Sequence, residues 1–239
     1  MTIATLTLCR FDRLPGRAWA FAQMGLSRRP LRRMPGLTFF KLLGSGGGAG
    51  FLPRPNPAVW AILCAWSSRA AAEAGLAGRP FARWRARAGE TAQLLLAPQA
   101  ARGAWSGRTP FAVADGDGGC ESHGPIAALT RASIRPRALP AFWRHVPTLD
   151  RLIGANRDVL LKVGVGEVPW LHQVTFTVWP DAASMARYAR APGPHADAIR
   201  AVREEGLFRE DLYARFRVAG ASGTWEGRPV ADTLARVAA

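Results

Sequence analysis

The pattern Gly-x-Trp-x-Gly-Arg occurs twice in the chain, at residues 103–108 and 223–228, and it constrains the fold more than any other feature. Trp105 and Trp225, at the centres of the two copies, are separated by about half of the 239-residue chain. Self-similarity at such a spacing is typical of a duplicated structural unit. The sequence therefore predicts two related halves, each of which ends on this signature.

Further local matches occur in the same order in both halves. Residues 41–44 resemble residues 162–164, and Trp66 ends an apolar segment before a helix, as Trp179 does. Arg79-Pro80-Phe81 aligns with Gly193-Pro194-His195. Several matches in one order favour duplication over chance. The duplicated unit therefore extends well beyond the two signatures.

Each half shows the order β-α-β-β-α-β, which is typical of a ferredoxin-like unit. In the first half the strands are predicted at residues 2–11, 37–43, 58–66 and 91–97, and the helices at 15–27 and 68–87. In the second half the strands are predicted at residues 126–134, 159–163, 171–179 and 212–218, and the helices at 138–153, 181–190 and 194–205. The first helix is expected to bury Trp19, Ala22, Gln23 and Leu26, and Pro147 is expected to break the helix at 138–153.

These elements predict an α+β protein. A ferredoxin-like sheet carries helices on one face only, so its bare face needs cover, and its twin is the natural partner. We expect tandem ferredoxin-like halves packed sheet to sheet, as an intrachain dimeric α+β barrel. The domains are residues 1–111, a linker at 112–124, and a second half at 125–239. Residues 44–57, rich in glycine and proline, are expected to form a flexible connector.

The formal net charge of +15 would suit nucleic acid, an acidic protein or an anionic membrane. Most of the charge is arginine scattered along the chain, and no nucleic-acid-binding module is recognisable, so we do not expect nucleic acid as a partner. One dense cluster consists of Arg28, Arg29, Arg32 and Arg33. It could be a solvated turn, or it could touch anionic lipid or an acidic electron donor.

The cysteines and the N-terminus indicate the compartment. Three cysteines without metal-ligand or disulfide-framework spacing suit a reducing cytosol. The first ten residues resemble a strand rather than a signal peptide. The longest apolar stretch, residues 58–66, is too short to span a bilayer. The sequence predicts a soluble cytoplasmic protein.

Two histidines are candidates for chemistry. His195 follows Pro194 at a predicted helix start and shares a face with apolar residues, so it is either a metal ligand or a hydrogen-bonded core histidine. His172 begins a strand and shares a face with Val174, Phe176 and Val178, which we expect to pack on the helices. It could be a ligand or support one.

The opposite strand face carries Gln173, Thr175 and Thr177. It is expected to line a pocket between the two sheets, or to form a hydrogen-bonded interface. Nine tryptophans suit either dense core packing or an apolar cavity for a long hydrophobic ligand. Cys9 and Cys64 are expected to be buried, and as thiolate ligands they rank below the histidines.

Several tryptophan-containing stretches resemble spheroidene monooxygenases, the acyclic carotenoid 2-ketolases of purple photosynthetic bacteria. The resemblance covers nearly the whole chain. It is carried by residues 11–13, 18–25, 81–85, 101–107, 166–173 and 193–195. The family implies a haem-dependent monooxygenase that uses O₂ and reduced ferredoxin to place keto groups at C-2 of spheroidene, giving spheroidenone. The alternative is a non-enzymatic hydrophobe- or haem-binding protein of the same fold.

The duplicated half also resembles dimeric α+β barrel haemoproteins, in which a helix histidine binds the iron of a haem lying between sheet and helices. That resemblance implies His195 as the axial ligand of iron. Since the repeat counterpart of His195 is Phe81, a single haem belongs to the second half. His172 is a second candidate or a neighbour. The resemblance further places Gln173, Thr175, Trp170 and Arg200 in the pocket. A membrane-dissolved substrate implies a location at the periphery of the photosynthetic membrane.

Overall fold

Eight antiparallel strands join edge to edge into one closed barrel in the computed structural model, which describes residues 2–111, 113, 124–190 and 206–235. The first half supplies β1 (Ile3–Arg10), α1 (Leu14–Leu26), α2 (Arg28–Arg32), β2 (Leu37–Gly47), β3 (Leu52–Trp66), α3 (Arg69–Ala77), α4 (Arg79–Arg85) and β4 (Glu90–Gly103). The second half supplies β5 (Ile126–Ile134), α5 (Leu139–Ala155), β6 (Leu161–Gly166), β7 (His172–Trp179), α6 (Ala182–Arg190), β8 (Phe208–Trp225), β9 (Arg228–Pro229) and α7 (Val230–Ala235). The predicted α+β class is confirmed.

The strand order around the barrel is β4-β1-β3-β2-β6-β7-β5-β8, and β4 pairs with β8 to close it. The β4–β8 seam runs from Ala92↔Gly223 to Gly103↔Leu212, whereas β2 and β6 pair only at Gly44↔Gly166 and Ser45↔Val165. The two four-stranded sheets are therefore joined by their edges. The expected sheet-to-sheet packing takes this form because closure pairs the edge strands β4 and β8 as well as covering the bare faces. The expected linker, 112–124, lies almost entirely outside the described residues.

The main core fills the barrel. Alternate residues of all eight strands meet there, with Leu6 and Leu94 from the first half packing in one cluster with Val174, Phe176 and Phe216 from the second. The helices lie outside the barrel, and those of the first half cover a separate cluster that contains Trp66, Phe81 and Trp84. None of the helices that the structure describes is long and apolar enough to cross a membrane.

The two signatures form the same tight turn. In each copy the tryptophan and the arginine pair as an antiparallel bridge, and the two central residues have positive φ: Ser106 (55°) and Gly107 (69°), then Glu226 (55°) and Gly227 (75°). Positive φ at both positions is the two-residue hairpin turn that glycine at the second position favours. The repeated glycines therefore have a conformational reason.

Each turn also binds a glutamate of the other half. The backbone N–H groups of Ser106 and Gly107 donate to Glu210 at 2.9 and 2.7 Å, and the N–H of Gly227 donates to Glu90 at 2.7 Å. Arg131 pairs with Glu210 as Arg10 pairs with Glu90. Each signature turn therefore forms hydrogen bonds that connect its own half to the other half.

Three sequence expectations were wrong in detail. Residues 44–57 are the tip of the long β2–β3 hairpin and not a flexible connector. Helix α5 runs unbroken through Pro147, because Val146 and Ile153 on either side of it are buried in one cluster that offsets the lost backbone bond. Helix α1 buries Gln23 and half-buries Trp19, but it leaves Ala22 and Leu26 exposed.

Gly50 marks the narrow seam between the halves. Its φ is +99°, and a Cβ there would lie 2.1 Å from the carbonyl oxygen of Gly164. Gly50→Ala is expected to lower the free energy of unfolding by roughly 3 kcal/mol, since it combines backbone strain with a clash against backbone. Gly25→Ala is the control: its Cβ meets nothing within 4 Å, so helix propensity predicts a small gain in stability. Urea unfolding of both variants measures the difference, and equal effects would contradict it.

Candidate functional site

A cavity lies between the outer face of the second half's sheet and the helices α5 and α6. Its empty space is about 900 Å³, part of which opens to solvent. The floor comes from β5, β7 and β8, with Ala128, Thr130, Gln173, Thr175, Thr177, Trp179 and Tyr213. The roof comes from α5 and α6, with Phe142, Val146, Asp150, Ile153, Met185, Tyr188 and Ala189, and Phe51 closes one side.

The period of each element explains the lining. Phe142, Val146, Asp150 and Ile153 are three or four residues apart, so they form one face of α5. On β7 every second residue points to the same side of the sheet. A cavity between these elements is therefore lined by one helix stripe and one strand face.

The structure reverses the predicted faces of β7. Val174, Phe176 and Val178 lie in the barrel core, whereas Gln173 and Thr175 line the cavity under the helices. The expected pocket between the two sheets does not form there, because barrel closure packs both inner faces together. The apolar face of β7 packs inside the barrel, and its polar face lines the cavity.

Two polar atoms at the cavity have no hydrogen-bond partner among the described residues. They are Nε2 of Gln173 and Oδ1 of Asp150, and both atoms are buried. A buried polar group without a partner costs free energy, so such groups commonly meet a ligand or water. Among the described residues that line the cavity, Asp150 is the one with a carboxylate side chain. Burial raises the pKa of the Tyr188 phenol, which therefore stays protonated at neutral pH.

The same place in the first half is filled. Trp66, Phe81 and Trp84 are buried between the sheet and the helices, and Phe81 is 0% exposed. The ring centroids of Trp19 and Trp84 are 5.3 Å apart. Among the described residues the two halves therefore differ at this place: aromatic side chains fill it in the first half, and a cavity lies there in the second.

His172 lies on the barrel side of β7, away from the cavity. Its Nδ1 is 3.5 Å from Glu167, in a cluster that closes one end of the barrel. Glu167 also pairs with Lys41 and Arg131 and accepts a hydrogen bond from Nε1 of Trp105 at 2.7 Å. The expectation that His172 packs towards the helices was wrong, since it shares the inner face of the strand.

The remaining expected site residues lie elsewhere. Trp170 is 54% exposed and is not among the lining residues, but its carbonyl accepts a hydrogen bond from Trp143, which neighbours the lining residue Phe142. His195 and Arg200 lie outside the described residues. Cys9 and Cys64 are buried in the first half, away from the cavity, and burial raises the pKa of both thiols, that of Cys9 to about 12. Neither is suited to be a thiolate ligand.

The environment of His172 predicts that the free energy of unfolding depends on pH. Burial lowers its pKa; Glu167 opposes that effect, and Arg131 and Lys41 add to it. As the pH falls below about 6.5, the unfolded chain therefore takes up a proton before the folded one does. The free energy of unfolding is expected to decrease on acidification from about pH 7.5 to 5.5, and His172→Gln should lose that part of the decrease. Urea unfolding at both pH values measures this; an identical loss in the variant would refute it.

The comparisons with known proteins agree with the resemblance in the sequence. No protein-family model matches the chain. Spheroidene monooxygenase of Rhodobacter capsulatus is 47% identical over 236 residues, covering 98% of both chains. The enzyme of Cereibacter sphaeroides is 43% identical over 98% of this chain and 72% of its own, and that of Rubrivivax gelatinosus is 35% identical over 93% and 85%.

Among solved structures, an aldoxime dehydratase superposes with a TM-score of 0.60 over 91% of this chain and 81% of its own, at 11% identity. This likeness shows a shared fold and nothing about the reaction.

Proposed function

The chain belongs to the spheroidene monooxygenase family, and on that premise we propose that it oxygenates acyclic carotenoids in the cavity between β7 and the helices α5 and α6. The observation that carries the proposal is the asymmetry between the halves. A duplicated unit that keeps its packing in one copy and opens a cavity in the other has been adapted for a ligand. The mostly apolar walls suit a polyene end.

The proposed reaction places a keto group at C-2 of spheroidene. In a first round one O₂, two electrons and two protons convert the methylene to an alcohol and release water. A second round of the same stoichiometry gives a geminal diol, which loses water to become the ketone. Reduced ferredoxin supplies the electrons, and a strongly basic chain attracts such an acidic donor in a salt-dependent manner.

The described walls fit a haem. Phe142, Val146 and Ile153 offer an apolar face of α5, and Trp179 and Tyr188 offer two tilted rings whose centroids are 5.1 Å apart. The side chain of Gln173 offers an amide donor that no described residue uses. When bound, haem would supply the activation of O₂. We propose that His195, which follows α6 in the chain, would hold the haem iron.

In this proposal Asp150 relays the protons that the reaction consumes. Its carboxylate is placed on the cavity roof, where it can pass protons inward from the side that opens to solvent. Asp150→Asn is expected to lower turnover roughly a hundredfold with the fold intact. Asp158→Asn, which changes an exposed carboxylate just beyond α5, should leave turnover unchanged. Carotenoid products per unit time measure both; a fully active Asp150→Asn variant would exclude the role.

We also infer that the halves are tandem ferredoxin-like units. In each half the helices follow the first and third strands. The strand orders β4-β1-β3-β2 and β8-β5-β7-β6 correspond position for position. The paired signatures and their cross-bound glutamates support this duplication.

The test of the proposal combines a spectrum with product analysis. The purified chain supplied with haem should show a Soret band, and His195→Ala should shift or abolish it. His172→Ala is the matched control, since His172 lies on the other face of β7 and should leave the band unchanged. Unaltered haem spectra in His195→Ala would remove the ligand assignment. A deletion strain that still makes spheroidenone would remove the proposed activity.

A further inference from the structure

Helix α1 exposes three large apolar side chains to solvent, and two of them, Leu14 and Phe21, lie on one face of the helix. Leu14, Phe21 and Leu26 are 76%, 71% and 67% exposed, whereas the helix buries Ala20 and the polar Gln23. A surface helix of a globular protein normally shows the reverse arrangement. Three large apolar side chains exposed on one short helix indicate an interaction surface.

Helix α2 and the residue that follows it carry positive charge next to the C-terminal end of α1. Arg28, Arg29, Arg32 and Arg33 are all exposed, and none of them forms an ion pair within the part of the chain that the structure describes. No acidic residue occurs in the sequence between Asp12 and Glu73. The charged side chains of this stretch of the sequence are therefore all positive.

We infer that α1 and α2 form a docking surface for an anionic lipid bilayer. The exposed apolar residues of α1 would lie among the upper acyl chains, and the arginines of α2 would contact lipid phosphates. An interfacial helix that combines an apolar face with basic residues binds membranes in this way. This surface belongs to the first half, whereas the cavity belongs to the second, so the inference stands without the proposed reaction.

The two alternative occupants fit the surface less well. An acidic protein would pair with the arginines but would leave Leu14 and Phe21 to be covered by apolar residues of its own. A second copy of this chain related by a twofold axis would bring two sets of four arginines into one interface, and like charges there oppose association. A bilayer meets both requirements at once, because phosphates and acyl chains lie side by side.

Vesicle co-sedimentation of the full chain tests the inference. The vesicles contain phosphatidylcholine alone or with phosphatidylglycerol, and binding is measured at low and high salt. One variant changes Arg28, Arg29, Arg32 and Arg33 to Gln; a second combines Leu14→Ser with Phe21→Ser. Matched controls change Arg137, Arg144, Arg157 and Arg209, which are exposed elsewhere, to Gln, and the half-exposed Leu152 to Ser. Thermal unfolding confirms that each variant is folded.

The wild type is expected to bind anionic vesicles and to be released by salt. The four-arginine variant should lose affinity several-hundredfold, about fivefold per charge. The apolar double variant should lose it at least tenfold, and the controls should bind as the wild type does. Absence of vesicle binding by the wild type would overturn the inference. Unchanged binding by the apolar variant would also overturn it, because the arginines alone would then account for the binding to lipid. A wild-type dimer that Phe21→Ser converts to a monomer would overturn it in favour of self-association.

Discussion

Thr175→Trp is expected to abolish carotenoid oxygenation while the protein remains folded. Thr175 lies on the cavity floor, on the face of β7 opposite the barrel core, so an indole there enters empty space rather than packed side chains. It would occupy the volume that the cofactor and the polyene end require. We expect turnover to fall at least a hundredfold and the Soret band to be lost, because a filled cavity excludes its ligand.

Thr175→Val is the matched control. Valine keeps the shape of threonine and has a methyl group in place of the hydroxyl. Turnover should therefore stay within a few-fold of the wild type. Product analysis in spheroidene-accumulating cells, with circular dichroism of the purified variants, separates lost function from lost fold. A folded Thr175→Trp variant with normal turnover would place the reaction outside this cavity.

Arg131→Ala is expected to cause the largest loss of stability. The Arg131 side chain is 3% exposed, pairs with Glu210 and lies 3.6 Å from Glu167. Its removal would leave two carboxylates facing each other at the closed end of the barrel. Breaking a buried ion pair in this way costs about 3–5 kcal/mol. The signature turn 103–108 also depends on Glu210, so the loss extends to the contact between the halves.

The duplication supplies the control for this prediction. Arg10 occupies the equivalent place in the first half, pairs with Glu90 at 3.3 Å, and lies 4.9 Å from the ring centroid of Trp225. Because its side chain is 33% exposed, Arg10→Ala should cost about 1 kcal/mol or less. Urea unfolding of the two variants gives the difference directly. Equal losses would show that burial does not decide the strength of these paired contacts.

The sequence was sufficient for the α+β class and for the order of strands along the chain. Local sequence patterns indicated these features. The signatures at 103–108 and 223–228 form the same tight turn, and the strand predicted at 126–134 coincides with β5. Local periodicity and repetition determine such features without knowledge of packing.

The sequence was not sufficient for features that depend on barrel closure. Alternation in β7 separates Gln173 and Thr175 from Val174 and Phe176, but it cannot say which face meets the other half, since both faces are covered. Asp150 was missed as a cavity residue because Pro147 suggested a broken helix. The stripe formed by Phe142, Val146 and Ile153 was the signal that could have identified it. The pairing of Arg131 with Glu210 joins residues far apart in the chain, which no local pattern reveals.

A crystal structure of the haem-loaded protein with a bound acyclic carotenoid tests the central claim most directly. The account predicts one end of the polyene between β7 and α5, in contact with Thr175 and within reach of the amide of Gln173 and the carboxylate of Asp150. A carotenoid bound against the helices of the first half, with the cavity of the second half left empty, would contradict it.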